Sequence, residues 1–116
     1  MTTTNQLKKF LEDGEIMTVP LYVSKNNCTP PTARKILQKW NIVNIQSNIQ
    51  IYIQDSAICK WFTGNVKGGV ITTIKRYAED EGITPESARL RLLKWGEVEI
   101  GNKRYLYIKK DLKEDK

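Results

Sequence analysis

Two stretches of this chain are nearly one stretch written twice. Residues 29–40 read TPPTARKILQKW, and residues 84–95 read TPESARLRLLKW. The offset of 55 residues holds on both sides. Ile16, Thr18 and Tyr22 recur as Ile71, Thr73 and Tyr77. Thr29, Pro30, Ala33, Arg34, Leu37, Lys39 and Trp40 recur as Thr84, Pro85, Ala88, Arg89, Leu92, Lys94 and Trp95. Val43, Ile45, Tyr52 and Ile53 recur as Val98, Ile100, Tyr107 and Ile108. These are 14 identities over the 41 positions 16–56, without a gap, where composition alone gives about two or three. A repeat of this clarity takes precedence over other signals. The chain is two copies of one small unit, each of about 50 residues and near the lower limit for a self-supporting core.

Charge and composition narrow the chemistry. The net charge is +6 and the 116 residues include no His. A polyanionic partner is expected, and every His-based triad, zinc site and general base is excluded. No phosphate-binding Gly loop, activated Cys or convincing carboxylate pair occurs, so an enzyme is not expected. Cys28 aligns with Ile83, and Cys59 lies beside Trp61 and Phe62. Both read as small core hydrophobes, with no disulfide and no metal site. No run of about 20 apolar residues occurs, and residues 1–14 lack the apolar core of a signal peptide. A cytoplasmic protein is expected, without a membrane partner.

Local signals place the elements. Residues 4–13 predict a short helix capped by Thr4, with Leu7, Phe10 and Leu11 on one side and Gly14 at its end. It would dock on the first unit or meet another chain. In the first unit Thr18 caps a helix reaching about Asn26, with Pro20 in its first turn. Asn27 and its counterpart Gly82 suit the left-handed stop that ends a helix. Thr29 caps a second helix that starts with Pro30. Two helices joined by a tight turn make a helix-turn-helix. Alternation over 43–45 and 49–53 predicts a hairpin with its tip at Ser47 and Asn48. Ser56 would cap a short closing helix over 57–62. The glycines of residues 63–69 predict a flexible linker spanning at most about 20–25 Å. The second unit repeats the plan, with Thr73 and Thr84 as caps, a hairpin tip at 101–103, and Asp111 in the place of Ser56. The expected organisation is an N-terminal helical segment (1–15), unit 1 (16–63), a linker (64–69) and unit 2 (70–116). The fold class is α+β.

The second helix of unit 1 has an expected inside of Ala33, Ile36, Leu37 and Trp40. Its other side carries Pro31, Lys35 and Gln38, flanked by Thr32, Arg34 and Lys39. Such side chains reach phosphates and base edges in a major groove. No Asp or Glu occurs in the 39 residues 16–54, which is an electrostatic footprint for nucleic acid; an ordinary surface with Asn and Gln in place of acids is the bland alternative. Unit 2 differs on this face. At the positions of Pro31, Lys35 and Gln38 it has Glu86, Leu90 and Leu93. Two Leu there suit a protein contact, with unit 1, a second copy or another protein. A register shifted by one, with Leu90 inward and Arg91 outward, is the alternative.

Residues 73–112, TIKRYAEDEGITPESARLRLLKWGEVEIGNKRYLYIKKDL, resemble the winged helix-turn-helix of MerR-type regulators and phage excisionases. The matching positions are Thr84-Pro85, Arg89, the wing at residues 101–104 and Asp111-Leu112. In unit 1 they are Thr29-Pro30, Arg34, Ser47, Asn48 and Ser56. The resemblance implies two tandem winged helix-turn-helix units and a DNA-binding regulator or recombination accessory factor of a phage or mobile element. The chain lacks the long dimerisation helix and effector domain of MerR regulators, so no small-molecule effector or other cofactor is expected. Duplex DNA would be held by Thr29, Thr32, Arg34, Lys35, Gln38, Lys39, Ser47 and Asn48 in unit 1, and by Arg89, Lys94, Lys103 and Arg104 in unit 2. The alternative is a protein-interaction module that uses Leu90 and Leu93. Structured RNA is a weaker third ligand.

Overall fold

The computed structural model describes residues 3–46, 49–101 and 103–109. The elements are α1 (Thr3–Glu12), β1 (Ile16–Met17), α2 (Val19–Asn26), α3 (Pro30–Leu37), β2 (Asn41–Gln46), β3 (Ile49–Ile53) and α4 (Ser56–Lys67). Then follow β4 (Ile71–Thr72), α5 (Ile74–Glu81), α6 (Pro85–Leu92), β5 (Gly96–Glu99) and β6 (Tyr105–Ile108). From β1 onward the order strand, helix, helix, hairpin occurs twice. The chain is α+β, with two three-stranded antiparallel sheets ordered β1-β3-β2 and β4-β6-β5. The registers repeat as well. Ile16 pairs with Ile53, and Ile71 pairs with Ile108.

Alternation along the strands gives each sheet two apolar faces. Ile49, Ile51 and Ile53 of β3 point to one side, with Ile16 and Ile45. Leu106 and Ile108 of β6 do the same, with Ile71, Val98 and Ile100. All of these belong to one buried core that also takes Leu7 of α1 and Phe62 and Val66 of α4. The two sheets therefore share a core. On the outer side of the first sheet, Met17 and Tyr52 pack with Leu37 of α3, together with Tyr22 and Trp40. Ala88, Leu92 and Tyr107 are buried at the corresponding places of the second half. Each fully buried Ile or Leu is worth about 1.5–3 kcal/mol. Parting the halves would expose the inner faces of both sheets, a large loss for units of this size.

The helix pairs are built alike. Thr18 accepts from the Leu21 amide and Thr73 from the Arg76 amide, so each caps its helix. Asn27 (φ 54°) and Gly82 (φ 65°) stop these helices in the left-handed conformation. An edge-on aromatic pair then locks each helix pair. Tyr22 meets Trp40 with centroids 6.4 Å apart, and Tyr77 meets Trp95 at 5.5 Å.

The same Thr residues join the halves. The Thr18 hydroxyl donates to the Ile100 carbonyl at 2.6 Å. Its counterpart Thr73 donates to the Gln46 side chain, and Arg76 donates to the Ile45 carbonyl at 3.0 Å. Ile45 and Ile100 are themselves counterparts. Each half thus grips the hairpin end of the other with the start of its own first helix. This reciprocity is the arrangement of a two-fold dimer, made within one chain.

Several expectations change. Residues 63–69 do not form a flexible connection, because α4 continues to Lys67. Phe62 and Val66, four apart, form one buried stripe, and that burial outweighs the low helix propensity of Gly64. Gly68, Gly69 (φ +78°) and Val70 turn the chain into β4. The cap of α4 is Asp55, not Ser56: its Oδ1 accepts from the amides of Ala57 (2.7 Å) and Ile58 (3.0 Å). A carboxylate there also meets the positive end of the helix dipole. Helix α1 begins at Thr3, before the expected cap Thr4. It docks on both halves: Leu7 is fully buried in the shared core, and Phe10 meets Trp61 edge-on at 5.3 Å. Its Thr4 side chain lies where a Cβ on Gly96 of β5 would stand. Cys28, Ile83 and Cys59 are half-buried rather than fully buried, and both thiols are free. Ser47, Asn48, Asp111 and Leu112 lie outside the described residues.

Candidate nucleic-acid interface

Helix α3 has a narrow inside. Ala33 and Leu37, one turn apart, are buried on the sheet. Ile36 lies at the edge of that row and is 41% exposed, against the expectation that it faces inward. In the second half the same edge position holds Arg91. The rest of α3 and its following turn, Pro31, Thr32, Arg34, Lys35, Gln38 and Lys39, is exposed. The side chain of Thr29 does not cap the backbone. Its hydroxyl donates to the Thr32 hydroxyl at 3.0 Å. Thr84 behaves differently, since it accepts from the Ser87 amide at 3.2 Å and so caps α6.

The two outer faces differ in kind. The α3 face has three cations and no acid within the 39 acid-free residues around it. Among the described residues, ion pairs link Arg76 with Asp80 and Arg91 with Glu81, each at 3.9 Å and all within the second half. Salt bridges this exposed add little stability, but they locally neutralise the cations that make them. Arg89 and Lys94 are exposed on the α6 side. Between them stand Leu90 and Leu93, which are 64% and 68% exposed. The register in which Leu90 faces inward is therefore not adopted, and Ala88 and Leu92 hold the inner positions.

Lys103 and Arg104 are exposed at the end of the second hairpin. That end lies against α2 of the first half, through Ile100 on Thr18 and through Gly101 on Pro20. Gly101 has φ +101°, and a Cβ there would come within 2.8 Å of Pro20 Cβ. Only glycine fits both the conformation and the gap. Two backbone bonds close the turn: Arg104 donates to the Gly101 carbonyl at 3.0 Å, and Ile100 donates to the Arg104 carbonyl at 2.8 Å.

The consequence is a cleft of about 690 Å³ between the halves. It brings together two residues that are 70 positions apart in sequence, Arg34 of α3 and Arg104 of the second hairpin. Ser24, Pro30, Gln50 and Tyr52 also line it, and among the described residues no carboxylate does. Sequence reasoning placed both arginines on a binding surface but in separate units, and it did not single out Ser24, Gln50 or Tyr52. The signal for the junction is faint: the helix caps Thr18 and Thr73 are repeat identities with a second hydrogen-bonding duty. Among the described residues, no group of Cys, Asp and Glu is placed to hold a metal ion. No helix among them is long and apolar enough to cross a membrane. Comparison with protein-family models, curated proteins and solved structures finds no match to this chain.

Proposed function

We propose that the protein binds duplex DNA with sequence selectivity, as a small regulator or recombination accessory factor, and that α3 is its reading helix. The observation that carries this reading is the outer face of α3. It follows a tight turn from α2 and presents Thr32, Arg34, Lys35, Gln38 and Lys39 to solvent within an acid-free segment. Lys35 and Gln38, one turn apart at most, would reach base edges, while Thr29, Thr32, Arg34 and Lys39 would hold phosphates. Each half, with a helix-turn-helix, a hairpin and a short third strand, has the parts of a winged helix-turn-helix, which supports the reading. Fluorescence anisotropy on random duplex DNA across a salt series tests it. The expected result is a fall in log affinity with log salt corresponding to about four or more neutralised phosphates. Absence of binding at low salt refutes it.

A second reading rests on Leu90 and Leu93. Two exposed Leu at the positions of Lys35 and Gln38 suit a partner protein rather than a groove. In that case Leu90→Asp with Leu93→Asp abolishes partner capture and leaves DNA affinity unchanged. If the double variant loses DNA affinity instead, α6 belongs to the DNA surface.

A further inference from the structure

We propose that the cleft between the halves holds the sugar-phosphate backbone of the strand flanking α3, so that the second half's hairpin serves as the wing of the first half's reading helix. This rests on the DNA-binding reading and specifies which surface carries it.

The first argument is placement. A wing acts by meeting the backbone next to the groove its helix occupies. In this chain each described hairpin end is held by the opposite half: Ile45 and Gln46 by Arg76 and Thr73, Ile100 by Thr18. The end of the second hairpin is therefore beside α2 and α3, and Arg104 shares a cleft with Arg34.

The second argument is charge complementarity. Among the described residues, the lining of the cleft includes two guanidinium groups, one from each half, and no carboxylate. Guanidinium forks match phosphate oxygens in pairs. Apolar wall residues such as Pro30 suit the carbon face of a deoxyribose. A sugar-phosphate strand offers both chemistries, and it is continuous with the DNA that α3 would bind because Arg34 belongs to both surfaces.

The third argument is preorganisation. The turn carrying Arg104 is closed by its two backbone bonds and seated on Pro20 through Gly101. Among its described residues, Gly101 and Arg104 are thus held in place before a ligand arrives. The corresponding region of the second half is built differently. Glu79 stands at the position of Ser24, and Arg76, at the position of Leu21, is spent on the Ile45 carbonyl. The lining of this cleft is thus particular to the side of the basic helix.

The test compares Arg104→Gln, Arg34→Gln, the double variant and Arg104→Lys with Lys60→Gln, which removes the same charge from exposed α4. Affinity for a duplex is measured over a salt series. Arg104→Gln is expected to weaken binding by roughly tenfold, the scale of a charge-assisted hydrogen bond. It should lower the salt slope by about one. Arg104→Lys should restore the slope but not the full affinity. The double variant should lose less than the product of the two single losses, because both groups grip one strand. Lys60→Gln should move the slope by much less. If wild-type protein binds DNA but Arg104→Gln behaves like Lys60→Gln, the shared-cleft proposal is wrong and the α3 reading survives. If the two single losses multiply fully, the arginines act at separate places and the proposal is again wrong. If wild-type protein does not bind DNA even at low salt, both the proposal and the reading it rests on fall.

Discussion

Helices α3 and α6 occupy the same place in two copies of one plan, and they differ almost only on the outside. Ala33 and Leu37 bury themselves as Ala88 and Leu92 do. Tyr22 and Trp40 meet edge-on as Tyr77 and Trp95 do. Outside, Lys35 and Gln38 face solvent in one half, and Leu90 and Leu93 in the other. Packing constrains the inside, since a changed core side chain costs about 1–5 kcal/mol. Solvent leaves the outside free to change. A duplicated unit can therefore keep its fold while its two surfaces take different partners, and the shared core fixes those surfaces relative to each other.

The largest expected effect challenges the equivalence of the insides. Ile53→Ala and Ile108→Ala remove the same side chain from counterpart positions in one core. Each should destabilise by about 2–5 kcal/mol. Each should also lower a single unfolding transition, followed by circular dichroism in urea. Two separable transitions, each sensitive to one substitution, would show that the halves fold independently.

Next in size is the junction. Gly101→Ala places a Cβ against Pro20 at a φ of +101°, with an expected loss of about 1–3 kcal/mol. The counterpart Gln46 is an ordinary residue, so Gln46→Ala should cost less. Thermal unfolding of the two variants gives the ranking, and a reversed order would mean that the Thr73–Gln46 contact dominates the junction.

Exchanging the outer faces sharpens the comparison further. Lys35→Leu with Gln38→Leu should reduce discrimination between DNA sequences by about 1–3 kcal/mol per lost base contact, with little change in stability. Leu90→Lys with Leu93→Gln should leave discrimination as it is, or add affinity that is sensitive to salt. Competition with unrelated duplexes measures both.

The smallest effect concerns the counterpart tyrosines. Tyr52 donates to Gln50. Tyr107 is pushed above its ordinary value of 10.0 by burial and next by the Glu97 carboxylate. Its contribution to stability is complete below the unfolded value near 10 and is lost as pH rises through the higher folded value. Alkaline unfolding should therefore be less steep in Tyr107→Phe than in the wild-type chain.

How far the sequence could be read follows the same division. The repeat, the caps Thr18 and Thr73, and the stops Asn27 and Gly82 are local chemistry, so they were legible. The run of Phe62 and Val66 was hidden by Gly64, because only the shared core explains why the helix passes through it. Asp55 lay one residue before the Ser expected to cap that helix, within the ordinary error of a boundary. The union of Arg34 with Arg104 was not legible, because it depends on one half gripping the other across 70 residues. The exposed faces of α3 and α6 were legible from period and charge, down to the exposure of both Leu. Ile36 was not, because a helix with only Ala33 and Leu37 inside leaves its neighbour at the rim.

The most direct measurement is discrimination. A duplex selected by the wild-type protein from a random pool, and a scrambled duplex of equal composition, are titrated with three proteins: wild type, Lys35→Ala/Gln38→Ala and Leu90→Ala/Leu93→Ala. The expected result is that the first double variant loses the preference while keeping a salt-dependent affinity, and that the second keeps both. Loss of the preference in the second variant alone, or failure of the wild-type protein to bind either duplex, would contradict the assignment of α3 as the reading helix.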